Sequence, residues 1–189
     1  GRRRRMALLA CTALLAGAAG WPAWTALADE DAATLEDRVK AAYLYKFAGF
    51  VEWPAKSFTR PDTPVTIGVL GADPVVMELN QAVAGRTVND RPLAVRRLRT
   101  GDSLAGVHIL FIGKSESARL TQLAQATQPR SILTVTESDG ALEQGSVINF
   151  VMADRRVRFE ISVESAEKSG LKLSSRLLAV AHDVRTGAR

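Results

Sequence analysis

Cysteine occurs once in the 189 residues, as Cys11, and histidine twice, as His108 and His182. One thiol excludes a disulfide framework. Two histidines without an H-x-x-x-H or H-x-x-E spacing give no metal-ligand pattern, so no metal site is expected. A G-x-G-x-x-G fingerprint and a G-x-S-x-G elbow are also missing, which argues against dinucleotide binding and against a serine hydrolase of that type. Internal repeats and low-complexity tracts are absent. The formal charge of +5 suggests nucleic-acid binding, but Arg2, Arg3, Arg4 and Arg5 supply most of it from the first five residues.

Those arginines open what reads as a secretory leader. They precede a low-polarity run from Met6 through Ala19, then Gly20 and Pro22, then Ala26-Leu27-Ala28 as an A-x-A cleavage site. The expected organisation is a signal peptide over 1–28 and one domain over 29–189. The alternative is an uncleaved anchor, because Met6 to Ala28 carries no charge and is long enough to span hydrocarbon. Arg4-Arg5 is a loose twin-arginine match and Leu8-Leu9-Ala10-Cys11 a loose lipoprotein match, so the export route stays open. Removing 28 residues that hold four arginines and no acid leaves 161 residues at a formal charge of +1. Cys11 goes with them. The mature chain then has no thiol chemistry and no overall field to attract nucleic acid.

After a flexible lead-in over 29–34, with Thr34 as a capping residue, a helix is expected from Leu35 to about Val51. Its apolar positions Leu35, Val39, Tyr43 and Phe47 recur every four residues, and Pro54 stops it. Val65–Leu70 reads as a strand that turns through Gly71 into a helix with Asp73 as its cap and Pro74 at its first position. Gly85–Pro92 reads as a loop and Leu93–Leu98 as a strand. Val107–Ile112 is continuously apolar apart from His108, which marks a central strand covered on both faces. A helix capped by Ser115 over about Glu116–Thr127 and a strand over Ile132–Thr136 follow. Val147–Met152 and Val157–Ser162 must form a hairpin, the second strand near an edge, and short helices over Glu164–Ser169 and Ser174–Ala181 close the chain. The expected fold is a three-layer α/β domain, a mostly parallel sheet flanked by helices with an antiparallel C-terminal hairpin.

No catalytic constellation emerges. Gly113-Lys114-Ser115 imitates the end of a phosphate-binding loop, but His108 stands where its first glycine should be. His108 in an apolar strand and His182 near a helix C-terminus read as structural. Arg96-Arg97-x-Arg99 and Arg155-Arg156-x-Arg158 read as edge-strand charges or as contacts for an acidic partner. The uneven feature is aromatic: Tyr43, Tyr45, Phe47, Phe50, Trp53 and Phe58 crowd one short segment. Tyr43, Phe47 and Phe50 point the same way at helical spacing, which Tyr45 and Trp53 do not, and Tyr43 and Phe47 are expected in the core. Tyr45, Phe50, Glu52 and Trp53 are the candidates for a partner-binding surface.

Lys40-Ala41-Ala42-Tyr43-Leu44-Tyr45-Lys46-Phe47 with Phe50-Val51-Glu52-Trp53-Pro54, and Gly170-Leu171-Lys172-Leu173-Ser174-Ser175-Arg176-Leu177-Leu178, resemble the opening and closing signatures of the YfiR/HmsC family. Ile67–Gly71, Ile109–Ile112, Ile148-Asn149-Phe150 and Phe159-Glu160-Ile161 extend the likeness over the mature chain. The resemblance implies a periplasmic regulator, not an enzyme, without a cofactor. It implies a partner, the periplasmic domain of an inner-membrane diguanylate cyclase, which it would hold inactive, lowering cyclic di-GMP and biofilm output. Some family members carry disulfides tied to stability or redox response; the expected mature chain has no cysteine, which argues against a redox-sensing role. A homodimer stays open. The rival readings are a periplasmic small-ligand module using the turns after the first and third strands, and a hydrolase built on carboxylates.

Overall fold

The computed structural model describes residues 24–187. Most of the expected leader, residues 1–23, lies outside them. The first helix, α1 (Trp24–Phe47), runs unbroken through 29–34, where a flexible lead-in was expected. Asp29–Thr34 is built from Ala, Asp, Glu and Thr with no Gly or Pro, so nothing there interrupts a helix. Thr34 does not cap; its hydroxyl donates to the Glu30 carbonyl one turn back, at 2.9 Å. The helix ends at Phe47, short of Pro54, because Gly49 and Phe50 turn the chain back through hydrogen bonds to Lys46 and Phe47. Leu35 is 59% exposed, so the buried stripe begins at Val39 and deepens at Ala41, Leu44, Phe47 and Ala48. Among the described residues no helix is long and apolar enough to cross a membrane.

Past β1 (Val51–Glu52) and a 3-10 turn over Ala55–Ser57, the chain forms β2 (Val65–Leu70), α2 (Asp73–Val83), β3 (Thr87–Val88), β4 (Arg91–Leu98) and β5 (Ile109–Ile112). A 3-10 turn over Lys114–Arg119 leads into α3 (Leu120–Thr127), then β6 (Leu133–Thr136), β7 (Ile148–Ala153) and β8 (Arg156–Ser162). The chain closes with α4 (Val163–Lys168), β9 (Lys172–Leu173), α5 (Ser175–Val180) and β10 (Asp183–Arg185). Eight strands form one sheet in the order β10-β8-β7-β6-β5-β2-β4-β3. The run β4-β2-β5-β6-β7 is parallel, and β8 returns antiparallel to β7. The expected α/β fold, with its mostly parallel sheet and terminal hairpin, is the one observed.

Several details differ from expectation. Gly85–Pro92 is not a loop: it contains β3 and the start of β4, joined through Asn89 and Asp90, both at positive φ (49° and 62°). The β7–β8 hairpin uses the same device at Asp154 and Arg155, the left-handed pair that a two-residue hairpin loop requires. Asp73 is the first helical residue, and its carboxylate pairs with Arg97. Ser115 lies in the 3-10 turn, where its hydroxyl donates to the Gly71 carbonyl at 3.0 Å. β8 does lie near an edge as expected, with the three-residue β10 as the edge strand beside it. His182 falls beyond α5, exposed, with its backbone N–H on the Phe159 carbonyl.

α1 and α2 cover one face of the sheet. Leu44, Phe47, Val75 and Leu79 meet Ile67, Val69, Ile109 and Phe111 there, all essentially fully buried. α3 covers the other face with Leu120 and Leu123 against Leu70, Leu98, Leu110 and Ile112. Each such side chain contributes roughly 1.5–3 kcal/mol of transfer free energy, which suits a fold that holds together without disulfides.

Candidate interaction surface

The aromatic segment divides into two environments. Tyr43 and Phe47 turn inward and stack at 5.9 Å, meeting Phe159 edge-on at 5.3 and 5.1 Å and Phe150 at 5.9 and 6.0 Å. This ties the end of α1 to the β7–β8 hairpin and satisfies the core role expected of both residues.

Trp53 and Phe58 gather around His108. Phe58 lies flat on the imidazole, 4.5 Å away and 12° off parallel, and the Arg91 guanidinium caps its other face at 3.9 Å. Trp53 approaches both rings edge-on and donates from Nε1 to the His108 carbonyl at 3.3 Å. His108 is buried and fully used: Nδ1 accepts from the Thr66 N–H at 3.1 Å and Nε2 meets the Ser57 carbonyl at 3.0 Å. Those partners fix the neutral tautomer with its proton on Nε2. Burial pushes its pKa below the usual histidine value; the Ser57 contact opposes this and Arg91 adds to it. The structural role expected of His108 is the one observed. Arg91 also donates to the carbonyls of Arg60, Pro61 and Thr63, pinning the linker to β4.

The remaining candidates lie where the two ends of the domain meet. β1 pairs antiparallel with β9, Val51 opposite Leu173 and Glu52 opposite Lys172. The Ser174 N–H donates to the Phe50 carbonyl at 2.9 Å, while the Ser174 hydroxyl caps α5 by accepting from the Leu177 N–H. Phe50 is half-buried and lines an open groove of about 450 Å³ with Lys46, Arg176, Leu177 and Val180. Val180 is 65% exposed, so its isopropyl group has no cover on this face. Glu52, on β1, is exposed. Tyr45 is half-buried under the Arg86 guanidinium at 5.1 Å. The structure thus places Phe50 in the groove, Glu52 exposed on β1, Trp53 in the His108 cluster and Tyr45 against Arg86.

The turns after β2 and β5, where a doubly wound sheet would hold a small ligand, close on each other. A Cβ on Gly113 would lie 2.3 Å from the Gly71 carbonyl oxygen, and one on Gly71 would lie 2.5 Å from Ser115 Oγ. That close approach is why glycine stands at both positions. Beside them Lys40, buried on α1, reaches Glu36 and Glu137 at 2.5 Å each, and Glu137 also accepts from the Lys114 N–H at 2.9 Å. Burial alone would lower the Lys40 pKa; the hydrogen bonds to Glu137 and Glu36 outweigh it and hold the ammonium charged. The cluster fastens α1 to the carboxyl end of β6, and Glu137, in a connecting loop, gave no sequence signal of this role. Among the described residues no group of three or more His, Cys, Asp or Glu side chains could hold a metal ion.

A family model described as YfiR/HmsC-like matches residues 37–182, from the middle of α1 to the start of β10. The chain belongs to the YfiR/HmsC-like family. Membership carries a regulatory role in general, and the β1–β9 contact is where the two most distinctive sequence segments of this YfiR/HmsC-like chain join. A solved structure of a conserved domain protein from Vibrio cholerae O1 biovar El Tor str. N16961 superimposes with a TM-score of 0.51 at 11% identity, over 64% of this chain and 54% of that one. This chain therefore spans about half the length of that protein, and the likeness is one of fold. Among proteins of curated function none matches.

Proposed function

We propose that this chain acts in the periplasm as a negative regulator, binding the periplasmic sensor domain of an inner-membrane diguanylate cyclase and favouring its inactive conformation. Cyclic di-GMP and exopolysaccharide output would fall as a result. The observation that carries the reading is the convergence of the two signature segments on one face. There Phe50 and Val180 offer apolar surface, and Lys46 and Arg176 supply charged groups around it. Aromatic and aliphatic anchors ringed by polar groups are how a protein interface concentrates its energy. Inhibition requires a preference between two partner states, since equal affinity for both would shift nothing. Glu52, exposed on β1, Tyr45 under Arg86 and Trp53 in the His108 cluster belong to the same proposal as further contact residues. Capture of the cyclase from solubilised inner membrane by the tagged full chain tests it; recovery of a cyclase whose product formation falls on addition of the chain is expected. No cyclase in the captured material would refute it.

A further inference from the structure

On the α3 face, a second cleft of about 270 Å³ opens at the carboxyl ends of β2 and β4, between α3 and the 99–104 turn. One helix covers this side of the sheet, so the ends of β2 and β4 are roofed only by that turn. The floor is apolar, with Leu98, Leu104 and Leu123. The rim carries three guanidinium groups, Arg99, Arg119 and Arg130.

The arginines of this region are not equivalent. Arg96 is spent on the turn, donating to the carbonyls of Ser103 and Ala105, and Arg97 pairs with Asp73. Arg119 is held in place by Thr100 Oγ1 at 2.9 Å and Glu116 at 3.2 Å. The side chains of Arg99 and Arg130 make no hydrogen bond or ion pair among the described residues. Asp102 is the one carboxylate on the rim, and it accepts from the Arg99 backbone N–H at 2.8 Å. The cleft is therefore net positive, with two uncommitted guanidinium groups above a leucine floor.

We propose that this cleft binds a small carboxylate with a compact apolar body, the carboxylate held by Arg99 and Arg130 beside the fixed Arg119, and the body lying on Leu98, Leu104 and Leu123. Guanidinium matches carboxylate geometry with paired N–H donors. The volume lies just below the roughly 300 Å³ at which drug-sized ligand sites begin, which sets the ligand's size class. The cleft shares no lining residue with the proposed partner surface, so a failure here leaves that reading standing, and the reverse holds.

The test is calorimetric titration of the full chain with octanoate, with octanol and inorganic phosphate as controls. One site is expected, with octanol and phosphate each weaker by about tenfold or more, as loss of one charge-assisted contact or of the apolar body requires. The double variant Arg99→Ala/Arg130→Ala should lose octanoate binding by a similar factor. Leu104→Glu, which sets a carboxylate into the cleft, gives an independent route to the same loss should the double variant fold poorly. Absence of octanoate binding, equal affinity for octanol or phosphate, or wild-type affinity in a folded variant would overturn the assignment.

Discussion

The carbonyl oxygen of Phe50 and the backbone N–H of Ser174 meet at 2.9 Å, joining the turn after the first helix to the cap of the last. With the two-residue β1–β9 ladder beside it, this contact closes the domain's ends into one surface. Substitutions in this region therefore separate into those that remove surface and those that loosen what lies beneath it.

Trp53 belongs to the second kind. Trp53→Ala removes the indole from Phe58, from the His108 ring and from the His108 carbonyl. A loss of about 2–3 kcal/mol is expected, below the usual cost of a fully buried tryptophan because Trp53 is half-buried. Trp53→Phe keeps the ring and loses the hydrogen bond, at about 1 kcal/mol. Urea unfolding with an unchanged m-value is the check.

The His108 network makes stability pH-dependent. Its pKa is lowered in the folded chain, so the unfolded chain binds more protons as the pH falls below the ordinary value of 6.5. Its contribution is complete above that value and declines as pH falls toward the folded pKa. Protonation would also turn Nδ1 from acceptor to donor and break the Thr66 contact. His108→Gln should be less stable at pH 7.5 and should show a shallower loss between pH 6.5 and 5 than the parent, measured by denaturant midpoints.

Asp37 has the opposite sign. Burial raises its pKa and Lys40 opposes that, but Glu137, Glu36 and Glu78 add to the rise. The folded chain then binds more protons, and the penalty grows as pH rises through the folded value. Asp37→Asn should raise Tm at pH 7, and the gain should vanish below pH 3.8.

For the Lys40–Glu137 pair, Glu137→Ala should cost about 3 kcal/mol, because it leaves a buried ammonium with Glu36 as its one remaining partner and the Lys114 N–H without its acceptor. Lys40→Met/Glu137→Gln should lose less than the two single changes together, since neither charge is then left unpaired. Thermal unfolding of the four proteins measures the coupling.

Much of the architecture was legible because burial writes itself into the sequence. The unbroken apolar run before Ile112 marked the central strand, and the alternation at Val157, Phe159 and Ile161 marked a strand with one face on the core. The β3–β4 hairpin escaped because Asn89 and Asp90 supply its turn without glycine, and because Pro92 in β4 looks like a loop residue. β1, β9 and β10 are too short to carry a period, and their partners lie far away in sequence. The same distance hid the setting of Trp53: the carbonyl it binds belongs to a strand residue, and no feature of the sequence near either residue announces the contact. Tyr45 and Trp53 stood out in the sequence because neither fits the stripe of Tyr43, Phe47 and Phe50.

The most direct measurement is the affinity of the proposed cyclase partner's periplasmic domain for the full chain and for Val180→Asp and Phe50→Ala. Val180 lies 65% exposed, and Phe50 lines the same groove. The account predicts that both variants keep the parent's fold by circular dichroism and lose affinity by about tenfold or more, as truncation or charging of an interface anchor does. Wild-type affinity in both folded variants would contradict it.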